Sequence, residues 1–90
     1  MRVMHERCAG LDVHKKTVVA CGRWTGAGGR VEQEVRTFGT TTPELLALLD
    51  WLTAEEVTIV ALESTGEYWK PVFNLLEDNV AVILVNAQHV

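Results

Sequence analysis

Residues 8–24 read CAGLDVHKKTVVACGRW, two apolar segments separated by a short polar break. Small and β-branched apolar residues on both sides of such a break are typical of two antiparallel strands joined by a tight turn. We therefore predict strands over residues 8–13 and 17–24. The first strand carries one acid, Asp12, next to its end. The stretch thus predicts a β-hairpin with a single carboxylate where its first strand stops.

The polar break of the hairpin contains His14, Lys15 and Lys16. A tight turn at His14 and Lys15 would bring Cys8 opposite Cys21 on the second strand. Directly opposed strand cysteines have poor geometry for a disulfide, and a reducing cytosol does not favour one. We therefore expect two small buried thiols.

A third strand is predicted after the glycine-rich turn at residues 25–29, since clustered glycines supply the positive φ angles of tight turns. Residues 31–38 alternate between apolar and polar side chains, with Val31, Val35 and Phe38 as the apolar members. This alternation predicts a half-exposed antiparallel strand.

The second half of the chain alternates between helical and extended patterns. Leucines at helical spacing predict an amphipathic helix over residues 42–53, with Trp51 off the leucine stripe and partly exposed. A second helix is expected within residues 67–78. Residues 57–62 and 80–85 are continuous apolar runs, which are typical of parallel strands buried on both faces.

The predicted order of elements is three strands, a helix, a strand, a helix and a strand. An antiparallel meander followed by two crossover connections gives a mixed α/β sheet with helices packed on it. If the later strands are added beside the first, the strand order is 3-2-1-4-5. This is the ribonuclease-H-like arrangement, in which strands 1 and 4 are neighbours.

Two acids, Asp12 and Glu63, come at the carboxyl ends of those neighbouring strands. Burying two carboxylates side by side is unfavourable unless a cation or hydrogen-bond donors compensate. Mg²⁺ and Mn²⁺ prefer oxygen ligands, and paired ions of this kind support phosphodiester cleavage. Both acids also have a structural interpretation. Asp12 can stabilise a turn. The segment that begins at Glu63 can simply start a helix, since Ser64 and Glu67 have the spacing of a helix capping box.

Composition and charge limit the function classes. Ninety residues with 48% hydrophobic and 22% charged side chains are ordinary for one globular domain, and no apolar run is long enough for a membrane span. The first ten residues lack the apolar core of a secretion signal, so a bacterial or other reducing cytosol is the expected compartment. The net charge of −4 is unevenly distributed. Residues 1–45 carry seven bases and five acids (+2), and residues 46–90 carry one base and seven acids (−6).

Three segments, GLDVHKKTVVAC, ALESTGEYWKPVFNLLE and VILVNAQHV, resemble the N-terminal domain of DEDD-class insertion-sequence transposases. Members of this class have a nuclease domain similar to Holliday-junction resolvases (RuvC-like), and some are bridge-RNA-guided recombinases. The resemblance runs from Cys8 to Val90. It implies that residues 1–90 are the N-terminal portion of such a domain and that the C-terminal part of the fold is missing.

The resemblance also implies roles for single residues. Asp12 and Glu63 match the family's first catalytic aspartate and its catalytic glutamate, two of four acidic ligands for Mg²⁺ or Mn²⁺. The other two acids would come from a helix after residue 90. The metal site is therefore incomplete, and the fragment is expected to be inactive alone. In the full-length protein we expect DNA as a partner, a guide RNA in bridge-RNA-guided members, and a homo-oligomer.

Four side chains could contact nucleic acid near the acids. His14, Lys15 and Lys16 at the hairpin tip, and Lys70 in the acidic half, are candidates for phosphate contacts, and His14 could instead approach the metal. For the hairpin residues, an exposed polar turn is the competing interpretation. His5 and His89 have no partners at ligand spacing and are not assigned to a metal.

Two other functional classes remain open. A nucleotide-binding module of the actin or sugar-kinase type shares the meander and an acid on its first strand. Such a module needs glycines in its first hairpin so that backbone amides approach phosphates, and residues 14–16 contain none. A non-catalytic protein-interaction domain is the second alternative, in which Asp12 and Glu63 would be structural.

Overall fold

The computed structural model describes residues 7–85. Five strands and two helices make up the chain, together with a short 3₁₀ turn at Ala27–Gly29. The strands are β1 (Cys8–Val13), β2 (Thr17–Thr25), β3 (Val31–Gly39), β4 (Ile59–Ser64) and β5 (Ala81–Leu84), and the helices are α1 (Thr42–Ala54) and α2 (Trp69–Leu76). Within the described residues, no helix is both long and apolar enough to cross a membrane.

The strands form one sheet in the order β3-β2-β1-β4-β5. β1 and β3 are antiparallel to β2, whereas β4 is parallel to both β1 and β5. The predicted mixed α/β sheet with order 3-2-1-4-5 is therefore confirmed, and it is consistent with a ribonuclease-H-like fold.

Both helices cover the same face of the sheet. Every second residue of β1, β2 and β4 is buried there. These side chains form one hydrophobic core with buried residues of the two helices: Leu45, Leu48, Trp51 and Leu52 of α1 and Val72 and Leu76 of α2. The following core side chains are fully buried: Val13, Val18, Leu48, Leu52, Val60, Leu62, Val72 and Leu76.

The opposite face of the sheet, which we call the open face, has no helix on it in the described part of the chain. The alternate residues of β4 are exposed or half-buried, and Ile83 on β5 is 51% exposed. The prediction that strands 4 and 5 are buried on both faces is therefore wrong for these residues. Their uniformly apolar sequence leaves an apolar surface on the side away from the helices.

The β1–β2 hairpin is shifted by one residue from the predicted turn. The His14 amide donates to the Thr17 carbonyl oxygen at 2.8 Å, which places Lys15 and Lys16 at the tip. Because moving the turn by one residue moves the strand pairing by two, Cys8 lies opposite Arg23 and Gly10 lies opposite Cys21. The predicted cysteine pairing is wrong, and both thiols are half-buried rather than buried.

β4 begins and ends two residues later than predicted. The amide of Val57 donates to the carbonyl of Leu52, so this residue closes the end of α1 instead of starting the strand. Val57 is 8% exposed and belongs to the core. Glu63 is consequently an internal residue of β4, which ends at Ser64.

The predicted capping box does not form. Ser64 Oγ donates to the carbonyl of Thr65, and α2 starts only at Trp69, with no side-chain capping bond among the described residues. The intervening turn contains Gly66 with φ +56°, a backbone conformation that glycine adopts without strain.

Two aromatic residues also differ from expectation. Phe38 lies three residues after Val35, so the two side chains point to opposite faces of β3. Phe38 is buried against the helices, while Val31 and Val35 are exposed on the open face. Trp51 was expected to be partly exposed but is 6% exposed, because its ring packs against Trp24 and Phe38 at centroid distances of 6.3 and 6.0 Å.

Leu48→Ala should lower the free energy of unfolding by about 2–5 kcal/mol, because it leaves a cavity at a fully buried position. Leu46→Ala on the same helix is the matched control, since Leu46 is 46% exposed, and its effect should stay within about 0.5 kcal/mol. Urea unfolding followed by circular dichroism measures both variants. Equal losses for the two variants would contradict the assignment of the helix faces.

Candidate metal centre

Asp12 and Glu63 are direct partners in the parallel pairing of β1 with β4. Neighbouring strands lie about 4.8 Å apart, and partner residues point to the same face of a sheet. Both side chains therefore stand side by side on the open face. The structure brings together the two acids that the sequence singled out.

Core packing on the other face explains this placement. The preceding partners in the ladder are Leu11 and Leu62, which are 2% and 0% exposed beneath the helices. Since side chains alternate along a strand, burying these leucines directs the next residue of each strand to the open face. The acids are thus positioned by the burial of their apolar neighbours.

The carboxylates are exposed, contrary to the expected burial. The Asp12 side chain is 56% exposed, and Glu63 is exposed as well. They stand at the wall of a shallow depression of about 280 Å³ that also includes Val19, Cys21 and Ala61. A Cβ placed on Gly10 would meet nothing within 4 Å, so the space above this part of β1 is open.

The donor set fits a hard divalent cation. Mg²⁺ is commonly held by one or two carboxylates together with water and substrate phosphate oxygens, and Asp12 and Glu63 supply two carboxylates on one surface. Among residues 7–85, no group of three or more His, Cys, Asp or Glu side chains could hold a metal ion. The described residues therefore provide a two-carboxylate, open arrangement rather than a closed cage.

His14 lies beside the first of these acids. Its Nε2 is 3.2 Å from Asp12 Oδ1, and the two side chains are 43% and 56% exposed. The contact spans the end of β1, since Asp12 lies within the strand and His14 is the first residue after it. Sequence reasoning placed His14 near the site but did not identify Asp12 as its partner.

Lys15 and Lys16 are exposed at the hairpin tip. The hydroxyl of Thr40 donates to the Lys15 carbonyl oxygen at 3.1 Å, which ties the tip to the end of β3. The Thr65 amide donates to the Val13 carbonyl oxygen at 3.1 Å, which ties the tip to the segment after β4. Neither of these loop contacts was signalled by the sequence pattern.

Lys70 has partners of its own in α2 and the preceding turn. Its Nζ is 2.7 Å from Glu67 Oε1 and 5.9 Å from the ring centroid of Trp69. The hydrogen bond and the positive charge of Lys70 lower the pKa of the exposed Glu67 carboxyl below its ordinary value. The structure therefore places this lysine in a local ion pair and shows no contact between it and the acid pair.

Comparison with solved structures supports the fold. The crystal structure of the Aquifex aeolicus member of the Ppx/GppA protein family aligns with 94% of this chain at a TM-score of 0.53 and 11% identity. A second solved structure, that of an Aquifex aeolicus PPX-GPPA enzyme, aligns with 92% of the chain at a TM-score of 0.47 and 13% identity. The chain spans 36% of the length of each of these proteins. At such identities the first likeness concerns the fold alone.

Sequence comparison identifies the family. No curated protein matches the chain. The family model of DEDD transposases of the IS110 type, described as transposase, matches residues 9–90. That match includes Asp12 in β1, Glu63 in β4 and the segment between them. The chain therefore belongs to the IS110-type DEDD transposase family.

Proposed function

We propose that this chain is the N-terminal portion of the nuclease domain of a DNA transposase, with Asp12 and Glu63 as two of its four acidic metal ligands. The observation that carries the proposal is the direct pairing of these two acids on adjacent parallel strands. Family membership supports it, since the matched region contains both residues. In this role, the chain contributes to cleavage and transfer of DNA strands by the full-length protein in the bacterial cytoplasm.

The acids have a defined task in this proposal. Bound Mg²⁺ or Mn²⁺ supplies Lewis-acid stabilisation of the charge that develops on phosphodiester oxygens during cleavage. Asp12 and Glu63 hold negative charge at one place on the open face. Their backbones belong to hydrogen-bonded strands, which keeps the two carboxylates in register before any substrate binds.

The remaining two acids come from a helix beyond residue 90 in this proposal. The open face next to the acid pair supports this, because its depression is lined mostly by apolar groups and stays accessible in residues 7–85. A helix packed on this apolar surface would cover it and would bring the two missing acidic ligands next to Asp12 and Glu63. Residues 1–90 alone are accordingly proposed to be inactive.

Lysines and His14 around the acids are proposed to contact nucleic acid. Lys15 and Lys16 are exposed at the tip that follows Asp12 and could bind phosphates without reading sequence. Lys70 would have to exchange its contact with Glu67 for a phosphate. The partner is DNA; a guide RNA and assembly into a homo-oligomer belong to the same proposal for the full-length transposase.

The alternatives receive less support. The hairpin tip of residues 14–16 has no glycine that would let backbone amides approach nucleotide phosphates closely. The likeness to the Ppx/GppA family member is one of fold and brings no activity to this chain. A purely structural role for Asp12 and Glu63 is tested by the substitutions below.

Asp12→Asn or Glu63→Gln in the full-length transposase should reduce metal-dependent DNA cleavage by about 100-fold or more. Each substitution removes one charged ligand from a site that supplies several kcal/mol of transition-state stabilisation. Cleavage of a labelled DNA substrate in Mg²⁺ or Mn²⁺ measures the effect. Asp50→Asn, at an exposed position of α1, is the control and should cleave normally. Normal cleavage by either site variant would refute the proposed catalytic role.

The isolated 90 residues should not cut DNA at any Mg²⁺ or Mn²⁺ concentration, because they carry only half of the proposed ligand set. A gel-based cleavage assay of the purified chain, with its Glu63→Gln variant in parallel, measures this. Robust cutting that depends on Glu63 would show that two acids suffice and that the proposed division of the site is wrong.

Lys70→Gln should raise the pKa of Glu67, since the lysine holds that carboxyl in its charged form. The stabilisation from this pair is present above the ordinary carboxyl pKa and is lost as the pH falls through the lowered one. Titration of the Glu67 side-chain carboxyl by NMR measures the change, and Lys16→Gln is a charge-matched control. An unchanged Glu67 pKa would mean that Lys70 is not held by Glu67 in solution and is free for a phosphate.

A further inference from the structure

β3 is an edge strand whose outer side has no partner strand among residues 7–85. It is nine residues long, contains no proline and pairs with β2 in one unbroken register. A long, regular edge strand is a template for pairing with another strand, and natural proteins usually shorten, bend or cover such an edge. β3 has none of these forms of protection in the described part of the chain.

The odd-numbered residues of β3 direct their backbone groups to the free side. At the turn before β3, the Gly26 amide donates to the Arg30 carbonyl oxygen at 2.8 Å, so the backbone of Arg30 faces β2. Because hydrogen-bonded and non-hydrogen-bonded pairs alternate along antiparallel strands, the even-numbered residues of β3 also face β2. The odd-numbered residues therefore face outward. The Gly39 amide agrees with this alternation, since it donates to the Glu44 carboxylate at 2.9 Å.

The sequence of β3 is complementary to a second copy of itself. An antiparallel pair centred on Val35 places this residue opposite itself, with outward-facing N–H and C=O groups from both copies. The same register places Glu34 of each copy opposite Arg36 of the other. Opposite charges directly across a strand pair are favourable, whereas like charges are destabilising.

The two charged side chains are already held next to each other in a single copy. Arg36 Nε donates to Glu34 Oε2 at 2.7 Å, and the guanidinium carbon of Arg36 lies 5.4 Å from a ring centroid of Trp51. The side chains of Arg36 and Glu34 remain 51% and 37% exposed. Pairing about Val35 would produce four alternating charges, with each carboxylate between two guanidinium groups.

Charge disfavours the neighbouring registers that keep the same backbone pattern. Centring the pair two residues earlier would place Glu32 opposite Glu34 in both directions, which gives two like-charge contacts. Centring it two residues later would leave Glu34 opposite Thr40, beyond the end of β3. Val35 is therefore the centre that satisfies both the hydrogen bonds and the charges.

We propose that β3 is a homodimer interface, at which two copies of this chain pair antiparallel about a two-fold axis at Val35. Pairing joins the two sheets into one and brings together the exposed Val35 side chains, each 59% exposed in a single copy. A two-fold contact is closed, so it gives a dimer and does not propagate into a fibre. The inference rests on the homo-oligomer of the proposed function, for which it assigns the contact surface, and not on the metal site.

Charge reversal at the two paired positions tests the register. Glu34→Arg and Arg36→Glu each place two like-charge pairs across the axis, so each should raise the dimer dissociation constant by about tenfold or more. Sedimentation velocity of the purified chain over a range of concentrations measures this constant. Glu77→Arg, a charge reversal at an exposed position directly after α2, is the matched control and should dimerise as the wild type does.

An equimolar mixture of Glu34→Arg and Arg36→Glu separates pairing between copies from effects within one copy. Each variant lacks its internal ion pair, but in a mixed dimer both contacts across the axis again join opposite charges. The mixture should therefore dimerise about tenfold or more tightly than either variant alone. A change in the folding of single chains would not produce this recovery, because the internal pair is broken in both.

Val35→Pro tests the backbone pairing separately. Proline lacks the N–H group, and the Val35 amide faces the free side, so the substitution removes hydrogen bonds of the dimer but none to β2. The variant should keep the circular dichroism spectrum of a folded chain and should sediment as a monomer. Thr37→Pro, at another outward-facing amide, takes its place if Val35→Pro does not fold.

The outcomes separate this inference from the proposed function. A wild-type chain that sediments as a monomer at every concentration would overturn the interface. Dimers that both charge reversals leave intact, or a mixture that associates no more tightly than its components, would do the same. Dimers weakened by each reversal and restored by mixing are the supporting result. None of these measurements depends on Asp12 or Glu63, whose role is tested by DNA cleavage.

Discussion

The register of the parallel pairing between β1 and β4 is the constraint on which the rest of the structure depends. It joins the antiparallel meander to the β4–β5 half of the sheet and places Leu11 beside Leu62 in the core. A shift of either strand by one residue would turn its buried leucine outward and its acid inward. Burial of these leucines on one face of the sheet is therefore enough to place Asp12 and Glu63 side by side on the opposite face. No polar contact between the two acids is required.

The sheet is covered on one face only within residues 7–85, and this determines the character of the acid pair. Both helices pack on the face opposite to the carboxylates, so the acids remain hydrated and do not need buried partners to offset desolvation. The same one-sided packing leaves apolar residues such as Val35 and Ile83 exposed. A half-covered sheet next to two exposed acids is the physical basis for proposing that more of the nuclease domain completes the site.

Loops supply the remaining chemistry around the acid pair. The hairpin tip carries His14, Lys15 and Lys16, and backbone or hydroxyl hydrogen bonds from Thr65 and Thr40 hold it near its neighbours. Side chains on such anchored loops combine defined position with access to solvent. Two of the seven bases of the chain's first half, Lys15 and Lys16, are thus brought to the same end of the sheet as Asp12, while Lys70 is paired with Glu67 in the acidic half.

Local patterns in the sequence were sufficient for the order of elements and the strand order, and they placed Asp12 and Glu63 on neighbouring strands, because periodicity, turn residues and chain connectivity carry that information. They were insufficient wherever a long-range partner decides the outcome. Trp51 is buried because Trp24 and Phe38 come to it from other strands, and Cys8 lies opposite Arg23 because the turn closes one residue later. The uniformly apolar β4 and β5 resemble strands buried on both faces, yet which faces are covered depends on where the helices pack. The contact of His14 with Asp12 belongs to the same class. The sequence places His14 two residues after Asp12, but the folded hairpin sets the separation of their side chains, because only packed and hydrogen-bonded neighbours fix where a backbone turns.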